Sequence, residues 1–207
     1  RAGMNFKSQF FYNSLTKKDT VDNIIKDKTD CTLFFEKERE KTMRKQVFSL
    51  LVDNNPGVLS RISGLFSRRG YSIDSITAGM TADPRFTRIT VVSSGDELIL
   101  SQIEKQVRKL EDVVDIKVLK DGESVYRELI MVKLRANAAQ RGEIISVADI
   151  FRAKIVDVEE DSLIVELTGT QSKLEAFLNL LKGYEILELA RTGITGLSRG
   201  SSDVAYL

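Results

Sequence analysis

The chain has 207 residues, 31 Lys and Arg against 30 Asp and Glu, 42% hydrophobic residues, 13 Gly and 2 Pro. That is the composition of an ordinary globular protein of one or two domains, and the near-neutral balance supplies no general attraction to nucleic acid or to an acidic membrane. The absence of His excludes Ser-His-Asp and Cys-His nucleophilic mechanisms and His-ligated metal centres, and it removes the usual general base near neutral pH.

Residues 1–42 are polar and weakly periodic, so they read as an extension with one short helix around Val21 to Lys28. Phe6, Phe10, Phe11 and Tyr12 are followed by Lys17, Lys18 and Asp19 without the apolar core of a secretory signal. Cys31, the single cysteine, forms no intramolecular disulfide, which fits a cytoplasmic setting, and no apolar run approaches the roughly 18 to 20 residues that span a bilayer.

The folded part is expected from Met43. Gln46 to Val52 is a short apolar run suited to a buried strand, and Asp53-Asn54-Asn55-Pro56-Gly57 interrupts it. Asp or Asn ahead of Pro signals a helix start, because the side chain can cap free N–H groups and Pro loses nothing at the first helical position. Val58, Ile62, Leu65 and Phe66 then fall on one helical face, and Gly70 after Arg68 and Arg69 supplies a left-handed stop. Ser72 to Thr81 and Phe86 to Ser93 predict an antiparallel hairpin through Ala82, Asp83 and Pro84. A second helix carries Ile99, Ile103, Val107 and Leu110, and a fourth strand alternates Val114, Ile116 and Val118 with Asp115 and Lys117.

Asp121 and Gly122 break the pattern, and the same order begins again. Leu129 to Leu134 is a strand, Arg141 to Phe151 a helix with Ile144, Ala148 and Phe151 inward, and Ile155 to Val158 and Leu163 to Leu167 flank the acidic turn Glu159-Glu160-Asp161. Leu174, Phe177, Leu178 and Leu181 mark a helix and Ile186 to Ala190 a last strand. The fold class is therefore α+β, two ferredoxin-like βαββαβ units, with an extension at 1–42, a first unit at 43–121 and a second at 122–207. Units this small leave a sheet face or edge to be covered, and a homodimer is the simplest cover.

The strongest constellation is Asp53-Asn54-Asn55-Pro56-Gly57-Val58-Leu59. Free N–H groups and the helix dipole attract a carboxylate there, Gly57 permits close approach and the Asn54 amide can bond a ligand. The same residues also make a plain helix cap, which spacing alone favours. The phosphate-loop pattern GxxxxGK[ST] is absent at this turn. Asp157, Glu159, Glu160 and Asp161 fit a solvated hairpin turn better than a metal site. Arg191 to Gly200, with its Gly and Arg residues, is either a flexible end or a loop that docks on another protein.

Lys45 to Asn54 with Pro56-Gly57-Val58-Leu59-Ser60-Arg61, Gly64-Leu65-Phe66 and Arg69-Gly70-Tyr71 resemble the ACT domain of the acetohydroxyacid synthase (acetolactate synthase) regulatory small subunit. Arg127-Glu128-Leu129, Ile150 to Asp157, Ala190-Arg191-Thr192-Gly193 and Leu197 to Gly200 resemble that subunit's later motifs, so the likeness runs from about Met43 to Gly200. The resemblance implies an ACT domain in the first unit and a non-catalytic partner of a catalytic subunit that condenses pyruvate with pyruvate or 2-oxobutyrate in branched-chain amino-acid synthesis. It implies no cofactor in this chain, and thiamine diphosphate, Mg and FAD in the catalytic subunit. It also implies valine, or a related branched-chain amino acid, as effector, held between the ACT domains of a dimer. Asn54, Asn55, Pro56, Gly57, Val58 and Leu59 of one subunit and Ser72 and Ile73 on the second strand of the other would form that site. Many members of the family carry Asn where this chain has Ser72. The alternative from another class, a free-standing amino-acid-binding ACT module in transcriptional regulation, needs a DNA-reading element, and neither a helix-turn-helix nor a basic stripe is legible in residues 1–42.

Overall fold

The computed structural model describes residues 43–201. The helix expected near Val21 to Lys28, the rest of the extension with Cys31, and residues 202–207 lie outside the described residues.

Arg44–Asp53 form β1, whose centre from Phe48 to Val52 is buried on both faces, which is why it reads as an apolar run and not as an alternation. α1 (Val58–Arg69) buries Val58, Ile62, Leu65 and Phe66, and Gly70 at φ 66° ends it beside Arg68 and Arg69. β2 (Ser75–Met80) and β3 (Phe86–Gly95) form the expected antiparallel hairpin. β2 starts at Ser75, not Ser72, because the preceding residues bond through side chains: Ser93 Oγ donates to Ser72 O at 2.6 Å and Ser72 Oγ to the Asp74 carboxylate at 3.0 Å. α2 (Glu97–Val107) is capped by Asp96, and β4 (Val113–Leu119) closes the first sheet in the order β2-β3-β1-β4. Val114 departs from the expected alternation. The pairing passes from Leu51↔Asp115 to Val52↔Val113, so Val114 is the extra residue of a bulge and stays 41% exposed.

The order then repeats with β5 (Ser124–Arg135), α3 (Ala138–Phe151), β6 (Lys154–Val158), β7 (Ser162–Gly169), α4 (Gln171–Leu180) and β8 (Ile186–Arg191), in a sheet ordered β6-β7-β5-β8. These are two ferredoxin-like units of an α+β protein. Each has its own core, one around Phe48, Ile62, Phe66 and Ile103, the other around Ile130, Ile144, Leu163 and Phe177. Glu159-Glu160-Asp161 is a hairpin turn whose Glu159 and Glu160 carbonyls accept from Arg141 at 2.9 and 2.7 Å.

A ninth strand changes the reading of the tail. β9 (Thr195–Ser198) pairs antiparallel with Ser124–Arg127 of β5 and lies against β1 and β4. Residues Arg191 to Ser198 are thus held on this chain and are not a free end. Sequence periodicity missed the strand because four residues with two polar ones carry no period-2 signal.

Candidate ligand-binding site

Gly57 is the N-cap of α1, at φ 88° and ψ −7°, and no side chain caps this helix; its first turn holds no acidic residue. Asp96, Asn137 and Thr170 cap α2, α3 and α4 through their side chains. The cap expected from Asp or Asn is therefore not formed, and Pro56 stands before the helix, not in its first turn. The physical reason is spacing, since a capping side chain must sit immediately ahead of the first helical residue, and that position belongs to Gly57. Its left-handed backbone is one that L-residues adopt only with strain.

Asn54 has another task. Its Nδ2 donates to Pro84 O at 2.9 Å, its Oδ1 accepts from Thr87 Oγ1 at 3.0 Å, and its backbone N–H donates to Arg85 O at 2.7 Å. It staples the loop after β1 to the turn of the β2–β3 hairpin, and one amide N–H remains for a ligand. Below the loop, Arg61 grips Asp112 with two bonds of 2.6 Å, while the Asp53 N–H donates to Asp112 O at 2.9 Å. The Arg61 hydrogen bond holds the Asp112 carboxyl below the usual carboxylate range, against a smaller opposing desolvation. Sequence reasoning missed this brace, because its partners are 51 positions apart.

The other expected residues divide. Asn55, Pro56 and Gly57 are exposed, as is Leu59 at 48%, but Val58 is only 4% exposed and its side chain belongs to the core. Ser72 and Ile73 precede β2, and Ile73 packs on the first core. Within one chain they do not meet the Gly57 turn. Asp53 pairs with Phe86 at one end of β3 and Ser72 is tied to Ser93 near the other, roughly 23 Å away at about 3.3 Å per residue.

The connection from β8 to β9 links the two sheets. Arg191 makes a bidentate pair with Glu128 at 2.8 and 3.0 Å, and Glu128 is buried. The next residues grip the outer face of β2: the Ile194 N–H donates to Ser75 Oγ at 3.1 Å, and Thr77 Oγ1 donates to Ile194 O at 3.1 Å. Gly193 between them has φ 85°, and a Cβ there would lie 2.3 Å from Ser75 Oγ. Gly193→Ala is expected to release this grip, through about 1 to 2 kcal/mol of left-handed strain and the loss of hydrogen bonds worth about 0.5 to 1.5 kcal/mol each. Hydrogen exchange at Ile194 and along β9 should accelerate in the variant, and Ser75→Ala, which removes the clashing hydroxyl, should restore part of the protection along β9 but not at Ile194, whose N–H loses its acceptor. Unchanged exchange would show that the grip carries no energy.

The first sheet, with its glycine turn between β1 and α1, defines an ACT-domain protein, and residues 48–115 match a family model described as the AHAS small subunit-like ACT domain. Residues 127–200 match a model described as the small subunit of acetolactate synthase, and this stretch holds both Glu128 and Arg191. The chain is 49% identical over 156 residues to a probable acetolactate synthase small subunit of Methanothermobacter thermautotrophicus, covering 75% of this chain and 93% of that one. It is 45% identical over 157 residues to the acetolactate synthase isozyme 3 small subunit of Escherichia coli, covering 75% and 96%. The crystal structure of the acetolactate synthase small subunit from Thermotoga maritima is similar at a TM-score of 0.72 and 40% identity, covering 76% of this chain and 99% of that one. The chain belongs to the acetolactate synthase small subunit family. Among the described residues, no helix is long and apolar enough to cross a membrane.

Proposed function

We propose that this chain is the non-catalytic regulatory subunit of a cytoplasmic acetolactate synthase, that it stimulates the catalytic subunit, and that it confers feedback inhibition by valine or a related branched-chain amino acid. Thiamine diphosphate, Mg and FAD belong to the catalytic partner in this reading. The observation that carries the effector site is the α1 N-terminus: an exposed turn with no capping side chain and no acid in its first turn, which leaves dipole and N–H groups for a carboxylate.

The same geometry supports a homodimer. Among the described residues, β2 pairs on one side only, with β3. A second copy related by a two-fold axis and paired antiparallel along β2 would set the Ser72 end of one subunit beside the Met80 end of the other. That end leads into the hairpin turn to which Asn54 is stapled. The two halves of the expected site, far apart in one chain, would then meet twice per dimer.

Inhibition is a linkage: valine binds one conformation of the dimer more tightly, and that conformation supports the catalytic subunit less well. The isolated chain is expected to make no acetolactate from pyruvate, to raise the rate when added to its catalytic subunit, and to make that rate valine-sensitive. A colorimetric acetolactate assay on the separate and mixed proteins checks all three, and turnover by the isolated chain would overturn the assignment.

A further inference from the structure

Register determines what the first sheet displays on the face away from its helices. Across β2, β3, β1 and β4 one row reads Thr77, Thr90, Ser49 and Lys117, and the next row places Arg88 on β3 and Asp115 on β4, with Gly79 opposite Arg88. Directly opposed residues share a face, and Ile89 and Val91, which alternate with these on β3, are in the helix-side core. The two rows floor a cleft of about 570 Å³, walled by Thr195 and Leu197 of β9. That is the size of a small-molecule site, typically about 300 to 1,000 Å³.

Three features mark this cleft. Thr90 is 2% exposed and lines the cleft, and its hydroxyl makes no hydrogen bond to any described residue and keeps access to solvent through the cleft. Arg88 reaches across to donate to Ser49 Oγ at 3.1 Å, and among the described residues neither Arg88, Lys117 nor Asp115 has an ion-pair partner within 4 Å. Opposite Arg88, a side chain at Gly79 would meet nothing within 4 Å, so the space is open. Two cations against one acid leave a single net positive charge beside an idle hydroxyl, and Leu119 and Leu197 add an apolar wall.

We propose that this cleft is a second small-ligand site, separate from the Gly57 turn, and that it takes a short-chain monocarboxylate. The carboxylate lies on Arg88 and the Thr90 hydroxyl, and the apolar tail lies against Leu119 and Leu197. A monoanion matches the net charge; a dianion would be left half-neutralised among apolar side chains. The site stands independently of the effector reading, because it lies on the opposite face of the sheet from the helix whose N-terminus that reading uses.

The test is an amide chemical-shift titration of the full chain with 2-oxobutyrate and isobutyrate as plain carboxylates, valine as a zwitterion and inorganic phosphate as a charge-only control. The two plain carboxylates should produce saturable shifts at Ser49, Thr77, Gly79 and Thr90 and none at Gly57. Arg88→Gln should weaken them at least tenfold, the isosteric Thr90→Val several-fold, and Gly79→Val should abolish them by filling the space. Shifts at Gly57 with valine report the effector site separately, so either reading can fail alone. The proposal is overturned if no saturable shift appears, if the shifts survive both Thr90→Val and Gly79→Val, or if phosphate reproduces them. It is equally overturned if Gly79→Val changes the sedimentation of the chain while the parent shows no carboxylate shift, since the face is then a protein contact.

Discussion

Gly57→Asp is expected to abolish inhibition by valine in the reconstituted complex while leaving the fold and the stimulation of the catalytic subunit largely in place. The new carboxylate would occupy the uncapped N-terminus of α1, where the effector carboxylate is proposed to bind, and compete for the same N–H groups. If the effector loses two charge-assisted hydrogen bonds, each worth about 1.5 to 3 kcal/mol, its affinity falls on the order of 10²-fold or more. The fold tolerates the change for two reasons. Asp visits the left-handed region more readily than most residues, at about 1 to 2 kcal/mol. Its Cβ would lie 3.4 Å from an Arg61 guanidinium nitrogen, an ordinary contact that offers the new carboxylate an ion pair. Gly57→Ala, which adds bulk without charge, should give a weaker defect. Titration calorimetry with valine beside the assay of the mixed subunits measures both effects, and unchanged binding by Gly57→Asp would remove the effector from this turn.

Arg191→Ala should be the most destabilising single substitution in the connection between the two sheets. Glu128 is 6% exposed, and without the guanidinium its carboxylate is left in a medium that solvates it poorly. Breaking a buried pair by removing one partner costs about 3 to 5 kcal/mol, and the lower end applies because the Arg191 side chain is 35% exposed. For a chain of this size that is a fall in Tm of about 6 to 12 °C. Replacing both partners by apolar residues, Glu128→Leu with Arg191→Met, should restore most of the loss, since no charge is then stranded. Thermal denaturation of the two variants decides the matter. A loss below about 1 kcal/mol in Arg191→Ala would mean that water reaches Glu128 and the pair contributes little.

Much of the molecule is legible in the residues alone. Val58, Ile62, Leu65 and Phe66, and later Ile144, Ala148, Leu174 and Phe177, declare their helices because a face that must be buried repeats every three or four residues. The order of elements, their repetition and the two-core α+β architecture follow from those periods, and the glycine turn announces itself by residue type alone. Only the tertiary structure decided which partners the polar groups find. It sent the Asn54 amide to Pro84 and Thr87 instead of to the helix, joined Arg61 to Asp112, pushed Val114 out into a bulge, and folded Thr195–Ser198 back onto β5. It also separated Ser72 from the Gly57 turn by nearly the length of β3. The division has a physical cause. Burial is a property of each residue's own side chain and so leaves a periodic trace along the chain, whereas a hydrogen bond between distant residues depends on sheet register, which exists only once the strands have paired.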